Sequence, residues 1–323
     1  MTSSSVDARQ GLDPVSAFKN IEARLLRFLF PSARDTWLVL LRIGLGFQVT
    51  VCCLSIRRDW NHLFAGNGEG WVNRELLETI YSAQVPLAPR LSWIITAGRH
   101  LGLSEEFLLT ATWICLFAAG CALVCGFLCR SAAIVAWFLH FCTVTSGGLL
   151  SYGMDNFTSI GLFYLMLAPL PDRFSLDARI WKNSLPDPHL HGFFQRVLQL
   201  HLSIIYFFAG LTKCLGAGWW NGESMWRALT CPPFNVLPPN LIIVAQGFLP
   251  LAGIAVCILE TGYPLFIWLR STRRIWFFSI LAMHAGIGIM MGLYLFALIM
   301  IILNMAAFGP QLLFRCAVLN ESV

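Results

Sequence analysis

Apolar runs long enough to cross a bilayer set the limits on what this chain can fold into. A helix needs about 20 residues to span a hydrocarbon core of roughly 30 Å. Seven stretches approach or exceed that length: Thr36–Ser55, 107–129, 132–150, 156–170, 197–215, 241–269 and 275–308. The fourth is short. The last is too long for one ordinary span, and a break near Gly292 divides it in two. In lipid, a helix pairs all its backbone polar groups within its own segment, so runs of this kind read as helices. The expectation is an all-α fold, a polytopic transmembrane helical bundle of about seven to eight spans. Composition agrees. Hydrophobic residues fill 57% of the 323 positions and charged ones only 12%, against about a quarter in a soluble domain. No large water-facing domain fits into that remainder.

Residues 1–34 read as a cytoplasmic or interfacial N-terminal segment, 35–308 as the transmembrane domain and 309–323 as a C-terminal tail. Val15, Phe18, Ile21, Leu25 and Leu29 recur at helical spacing with Lys19, Arg24 and Arg27 among them, the pattern of a helix lying on a membrane surface. No cleavable signal peptide is visible in the first 35 residues. If the N-terminus is cytoplasmic, Lys19, Arg24, Arg27, Arg34, Arg130, the basic residues of 173–182 and the cluster at 270–274 all fall inside, as the positive-inside rule asks. Arg57 and Arg58 run against it, in a long loop where the rule is weak. The reading is an integral membrane protein, in the inner membrane if the chain is bacterial, with its active cavity facing outward. The net charge of +5 is a topology signal. The partners this implies are membrane lipids and a secreted or membrane peptide, with no nucleic acid.

Two connectors stand out. The loop at 56–106 holds a turn-forming GNGEGW at 66–71 and two short helical patterns near 75–81 and 91–100; the Pro-, Asp- and His-rich linker at 171–195 is a hinge or a plain loop. Of the eleven cysteines, most lie in spans, where cysteine acts as a small hydrophobe. Cys214 and Cys231 flank one loop and pair only in an oxidising compartment; the unpaired reading is the default. His189 and His191 lack a third ligand nearby, so no metal is expected.

Ionisable groups inside apolar spans are costly and point to function. Gln199, Ser203, Tyr206, Gly210 and Lys213 follow steps of four, three, four and three, so they form one helix stripe that must face the bundle interior. Lys213 ends the stripe. It is a general base if desolvation keeps it neutral, or a lysine snorkelling to the interface. His284, mid-run, is a proton carrier, a ligand donor or an interhelical tie. Arg42 and Glu260 are expected to pair as scaffold. Asp155 and Asn156 open the fourth span and either line the same cavity as Lys213 or cap that helix.

With these residues in place a family resemblance emerges. YFFAGLTKCLGAGWWNGESM at 206–225 resembles the Y-F-x-A-G-x-x-K … W-x-x-G motif of the vitamin K-dependent gamma-glutamyl carboxylase family, whose membrane part is the horizontally transferred transmembrane (HTTM) domain. Glu260, His284 with the run that follows it, and DTWLVLLRIGLG with Arg42 are similar to further family positions, so the resemblance covers about residues 35–308. It implies a carboxylase-like lyase. Lys213 would be the base that deprotonates a reduced vitamin K or menaquinol-type quinone, with O2 and CO2 as co-substrates and a peptide carboxylated. It also implies that Tyr206 lines the cavity and that His284 is a polar group at the quinone pocket; Ser203 and Gln199 of the stripe, Asp155 and Asn156 at the same level and Trp219 beside the lysine are the further candidates for binding substrate or quinone. Where the animal enzyme has a histidine near the start of the fourth span, this chain has Phe157. The large luminal region of that enzyme has no counterpart here, which points away from propeptide-bearing clotting-type substrates. Small microbial members of the family imply an alternative, a maturation factor for a secreted peptide toxin of the sporulation-delaying type. A non-enzymatic transporter is the third reading.

Overall fold

A computed structural model describes residues 14–66, 70–71, 73–181 and 186–313, and among them the chain is helical, with no strand. The turn expected at 66–71 lies largely outside the described residues, as does the tail from 314 onward. Helix α1 (Pro14–Leu29) precedes α2 (Thr36–Ser55), and the next loop forms α3 (Trp60–Phe64), α4 (Arg74–Gln84) and α5 (Leu91–Arg99). Then come α6 (Glu105–Cys125), α7 (Cys129–Gly147), α8 (Gly153–Leu167) and the short α9 (Leu176–Trp181). The second half holds α10 (Pro188–Cys214), α11 (Ala217–Trp220), α12 (Glu223–Thr230), α13 (Pro239–Ala245), α14 (Leu249–Phe266), α15 (Arg273–Met291) and α16 (Tyr294–Leu313).

Six of these segments are long and apolar enough to cross a membrane: α2, α6, α10, the α13–α14 stretch, α15 and α16. That is fewer than the seven or eight expected. The run at 156–170 becomes the 15-residue α8, stopped where Ala168 precedes a proline, a position that disfavours helix. The run at 132–150 becomes α7, whose apolar residues are diluted by buried His140, Thr143, Thr145 and Ser146. Both still pack in the bundle, α7 against α6 and α8, and α8 against α2 and α16. The break at Gly292 is present: α15 ends there in the left-handed region (φ 71°) and α16 begins two residues later, a conformation that glycine adopts without the Cβ clash. Helix α10 starts nine residues before its apolar run, because Asp187 caps it through His189 N (2.8 Å) and Pro188 takes the first position, a strong start signal.

Helix α2 is the axis. Trp37, Leu38, Leu41 and Leu45 are fully buried, packed against α6 on one side and α16 on the other. Outward faces are apolar too: Ile43 and Phe47 on α2, Phe107 and Ile114 on α6, Ile204 and Phe208 on α10, and Ile258 and Leu265 on α14 are all exposed. Apolar patches of this extent on a water-soluble monomer would be a liability, whereas lipid solvates them. Ile21, Leu25 and Leu26 of α1 are likewise exposed.

One end of the bundle is tied by the 172–177 turn. Arg42, fully buried, donates to Asp172 through Nε (2.5 Å) and Nη2 (3.2 Å), and through Nη1 to the carbonyls of Leu123 and Val124. Those carbonyls belong to the last turn of α6, which lacks intrahelical donors. Asp177 accepts from the N–H groups of Leu128 and Cys129 at the start of α7. The expected Arg42–Glu260 pair is thus not formed. Arg42 faces α6 and the linker, and Glu260 finds its cation on α10. Within the 171–195 linker, Asp172 and Asp177 thus tie the end of α6 and the start of α7.

Candidate functional site

The stripe on α10 faces inward as its spacing requires: Gln199, Ser203, Tyr206 and Gly210 are buried, and only Lys213 reaches an opening. Its first two side chains are engaged in holding helices together. Gln199 donates to Ala307 O (2.7 Å) and accepts from Arg196; Ser203 donates to Gln199 O and accepts from the Trp268 indole (3.2 Å).

Tyr206 begins a buried four-residue network. Its oxygen accepts from Asn304 Nδ2 (2.8 Å) and lies 2.6 Å from His284 Nε2, while Tyr263 donates to Asn304 Oδ1 (2.8 Å). Since Tyr206 already accepts from Asn304, directing its own proton at Nε2 satisfies both, which places the proton of a neutral imidazole on Nδ1. That Nδ1 is buried with no partner among the described residues. Tyr206 and Tyr263 stack at 4.2 Å, and Phe296 meets the His284 ring edge-on at 5.8 Å.

Lys213 donates to Glu260 Oε2 at 2.6 Å, with the lysine side chain 23% exposed and the glutamate 9%. The contact depends on Gly210, where a Cβ would come within 2.4 Å of Thr261 N. Without that side chain α10 and α14 pack close enough to bring the two charges together. The Lys213 ammonium also lies 5.5 Å from the centre of the Trp219 ring, in cation–π range. Lys213 is therefore an ion-paired amine, a partnership that neither of the two sequence readings, a neutral base or a snorkelling lysine, included. Cys214 sits beside Thr261 Oγ1 (3.4 Å), and it and Cys231 are free thiols.

Asp155 is placed elsewhere. It lines a cavity of about 260 Å³ with His140, Cys52, Tyr152, Trp60 and Leu295, and Lys213 is not part of its wall. His140 Nε2 contacts Asp155 O (3.2 Å), and the Asp155 carboxylate accepts from Tyr152 N (3.0 Å) at the start of α8, so its capping role is realised. Tyr152, just before that helix, has its phenol pushed up to about 12, by burial first and by the Asp155 carboxylate second. Asn156 is exposed. The first turn of α16 divides the two centres: Leu295 lines the cavity, and Phe296 packs on His284 and on Phe157.

Sequence reasoning missed His140, Asn304 and Tyr263. The signal for His140 and Asn304 was available, since each is a polar side chain within a long apolar run. Among the described residues no cluster of His, Cys, Asp or Glu could hold a metal ion. Compared with protein-family models, curated proteins and solved structures, the chain matches none.

Proposed function

We propose that this integral membrane protein is an enzyme of carboxylase-like chemistry that handles the proton of a quinol-type substrate through the Lys213–Glu260 pair. The 2.6 Å ion pair, partly open at the end of a buried polar stripe and flanked by the Trp219 ring, carries this reading. The donor set fits such a substrate. A quinol presents an acidic O–H on a flat apolar ring, and the site offers an amine, a carboxylate and an indole face. A reduced quinone with O2 would supply the base strength needed to open a glutamate C–H bond for CO2 to add. The chain's own part is narrower. Glu260, assigned to scaffold from the sequence, becomes a working partner: an ammonium donating to a carboxylate is no free base, so the quinol proton is accepted by the pair as a unit. Tyr206, His284 and Asn304 fix the middle of the stripe, and Phe296 covers the His284 ring.

The test is direct. Full-length protein in detergent, supplied with reduced vitamin K or menaquinol and oxygen, should form quinone epoxide. Lys213→Ala should lower the rate by roughly 10²–10⁴-fold, the usual contribution of a general base. Equal epoxide from wild type and Lys213→Ala overturns the assignment.

A further inference from the structure

At the opposite end of α10 from Lys213 lies a second polar pocket that the proposed chemistry does not use. It has a volume of about 350 Å³ and is lined by the α1–α2 joint (Ser32, Arg34, Asp35), by Arg173, and by Pro188 and His191 at the start of α10. Small-molecule sites run from about 300 to 1,000 Å³. His191 is 3% exposed, and both of its ring nitrogens are buried with no hydrogen-bond partner among the described residues. An imidazole carries at least one N–H in either charge state, so at least one buried donor here is unanswered. Buried polar groups without a partner are rare and call for a reason.

Two arginines and one carboxylate line the pocket, and the carboxylates of Asp172 and Asp187 also act on His191 from behind its wall. Both Asp35 oxygens are taken by Arg173, Oδ2 by its backbone N–H (2.8 Å) and Oδ1 by Nε (2.5 Å). That contact answers the one carboxylate in the wall and leaves the terminal nitrogens of Arg173 without a partner among the described residues. Arg34 is exposed and forms no ion pair among them either. The walls are firmly held: Ala33 N donates to Pro188 O (3.1 Å), His189 Nδ1 contacts Phe30 O (3.0 Å), and Gly192 packs on Pro31 where no side chain would fit.

We propose that this pocket binds a phosphate-bearing anion, with Arg34 and Arg173 supplying charge and His191 the buried donor. Its depth points to a headgroup. His191 and Lys213 are 22 residues apart on one helix, about 33 Å at 1.5 Å per residue, which is the thickness of a hydrocarbon core. With Lys213 near one interface, the pocket lies at the level of lipid phosphates on the other. A lipid headgroup and free phosphate share the recognised group, and experiment separates them.

Full-length protein in neutral detergent would be titrated with dihexanoyl phosphatidylglycerol, with inorganic phosphate and with dihexanoyl phosphatidylcholine at matched ionic strength. Saturable binding of the phosphatidylglycerol alone identifies the lipid as the source, and competition by inorganic phosphate identifies the free ion. In either case Arg34→Gln and His191→Leu should each weaken binding about tenfold, the scale of one lost charge-assisted hydrogen bond. His191→Leu should leave the thermal midpoint of the ligand-free protein unchanged or raised, because it removes an unanswered donor. The proposal is overturned if neither anion binds, if phosphatidylcholine binds equally well, or if both variants bind as wild type does. A fall in the ligand-free midpoint of His191→Leu also overturns it, since the histidine would then be holding the fold and not awaiting a ligand.

Discussion

Lys213 and Glu260 should respond unequally to being separated. Lys213→Met leaves a carboxylate that is 9% exposed with no cation; Glu260→Gln leaves an ammonium that is 23% exposed and rests on the Trp219 ring. Removing one partner of a buried pair costs about 3–5 kcal/mol, most of it the penalty on the charge left behind. The lysine can extend toward the interface, and the glutamate, in the middle of α14, cannot. The expected losses are therefore about 3 kcal/mol for Lys213→Met and roughly 1–2 kcal/mol for Glu260→Gln. The double variant should be less damaged than the sum by about 1–3 kcal/mol, the coupling of residues in direct contact. Reversible unfolding in mixed micelles, followed by far-UV circular dichroism, measures all three. If Glu260→Gln costs as much as Lys213→Met, or if the cycle shows no coupling, the pair does not exist as described.

Arg42→Met should lose about 3–5 kcal/mol in the same assay, and adding Asp172→Leu should restore part of it, because two uncharged neighbours leave nothing stranded. Asn304→Leu removes the donor to Tyr206 and the acceptor of Tyr263 together; at about 1–3 kcal/mol for each unsatisfied buried group, a loss near 3 kcal/mol is expected. Gly210→Ala pushes a methyl group against Thr261 N, costing about 1–3 kcal/mol. It should also abolish the coupling between Lys213 and Glu260 when the cycle is repeated in that background.

What was legible in the sequence is what local period controls. The membrane class, the divided run at Gly292, the short helices α4 and α5 and the inward-facing stripe all follow from spacing along one segment. Partners between segments do not. Arg42 and Glu260 are both charged residues in spans, and nothing local says that one meets a linker and the other a lysine. Asp155 and Lys213 share a depth, which left a common cavity and a helix cap both open for Asp155; depth does not fix position around the bundle, and the cavity that Asp155 lines does not include Lys213. The early start of α10 is written in Asp187–Pro188, a capping signal that lies nine residues upstream of the apolar run.

Arg42 carries a consequence for the order in which the protein is made. Its anion, Asp172, lies 130 residues downstream. At about 5–20 residues per second, the ribosome needs roughly 7–26 s to supply it. Throughout that interval the first span carries, in its second turn, a guanidinium whose carboxylate has not yet been made. The helix that enters the membrane first is thus among the last to be completed, and it settles only once α6 and the turn after α8 have arrived beside it.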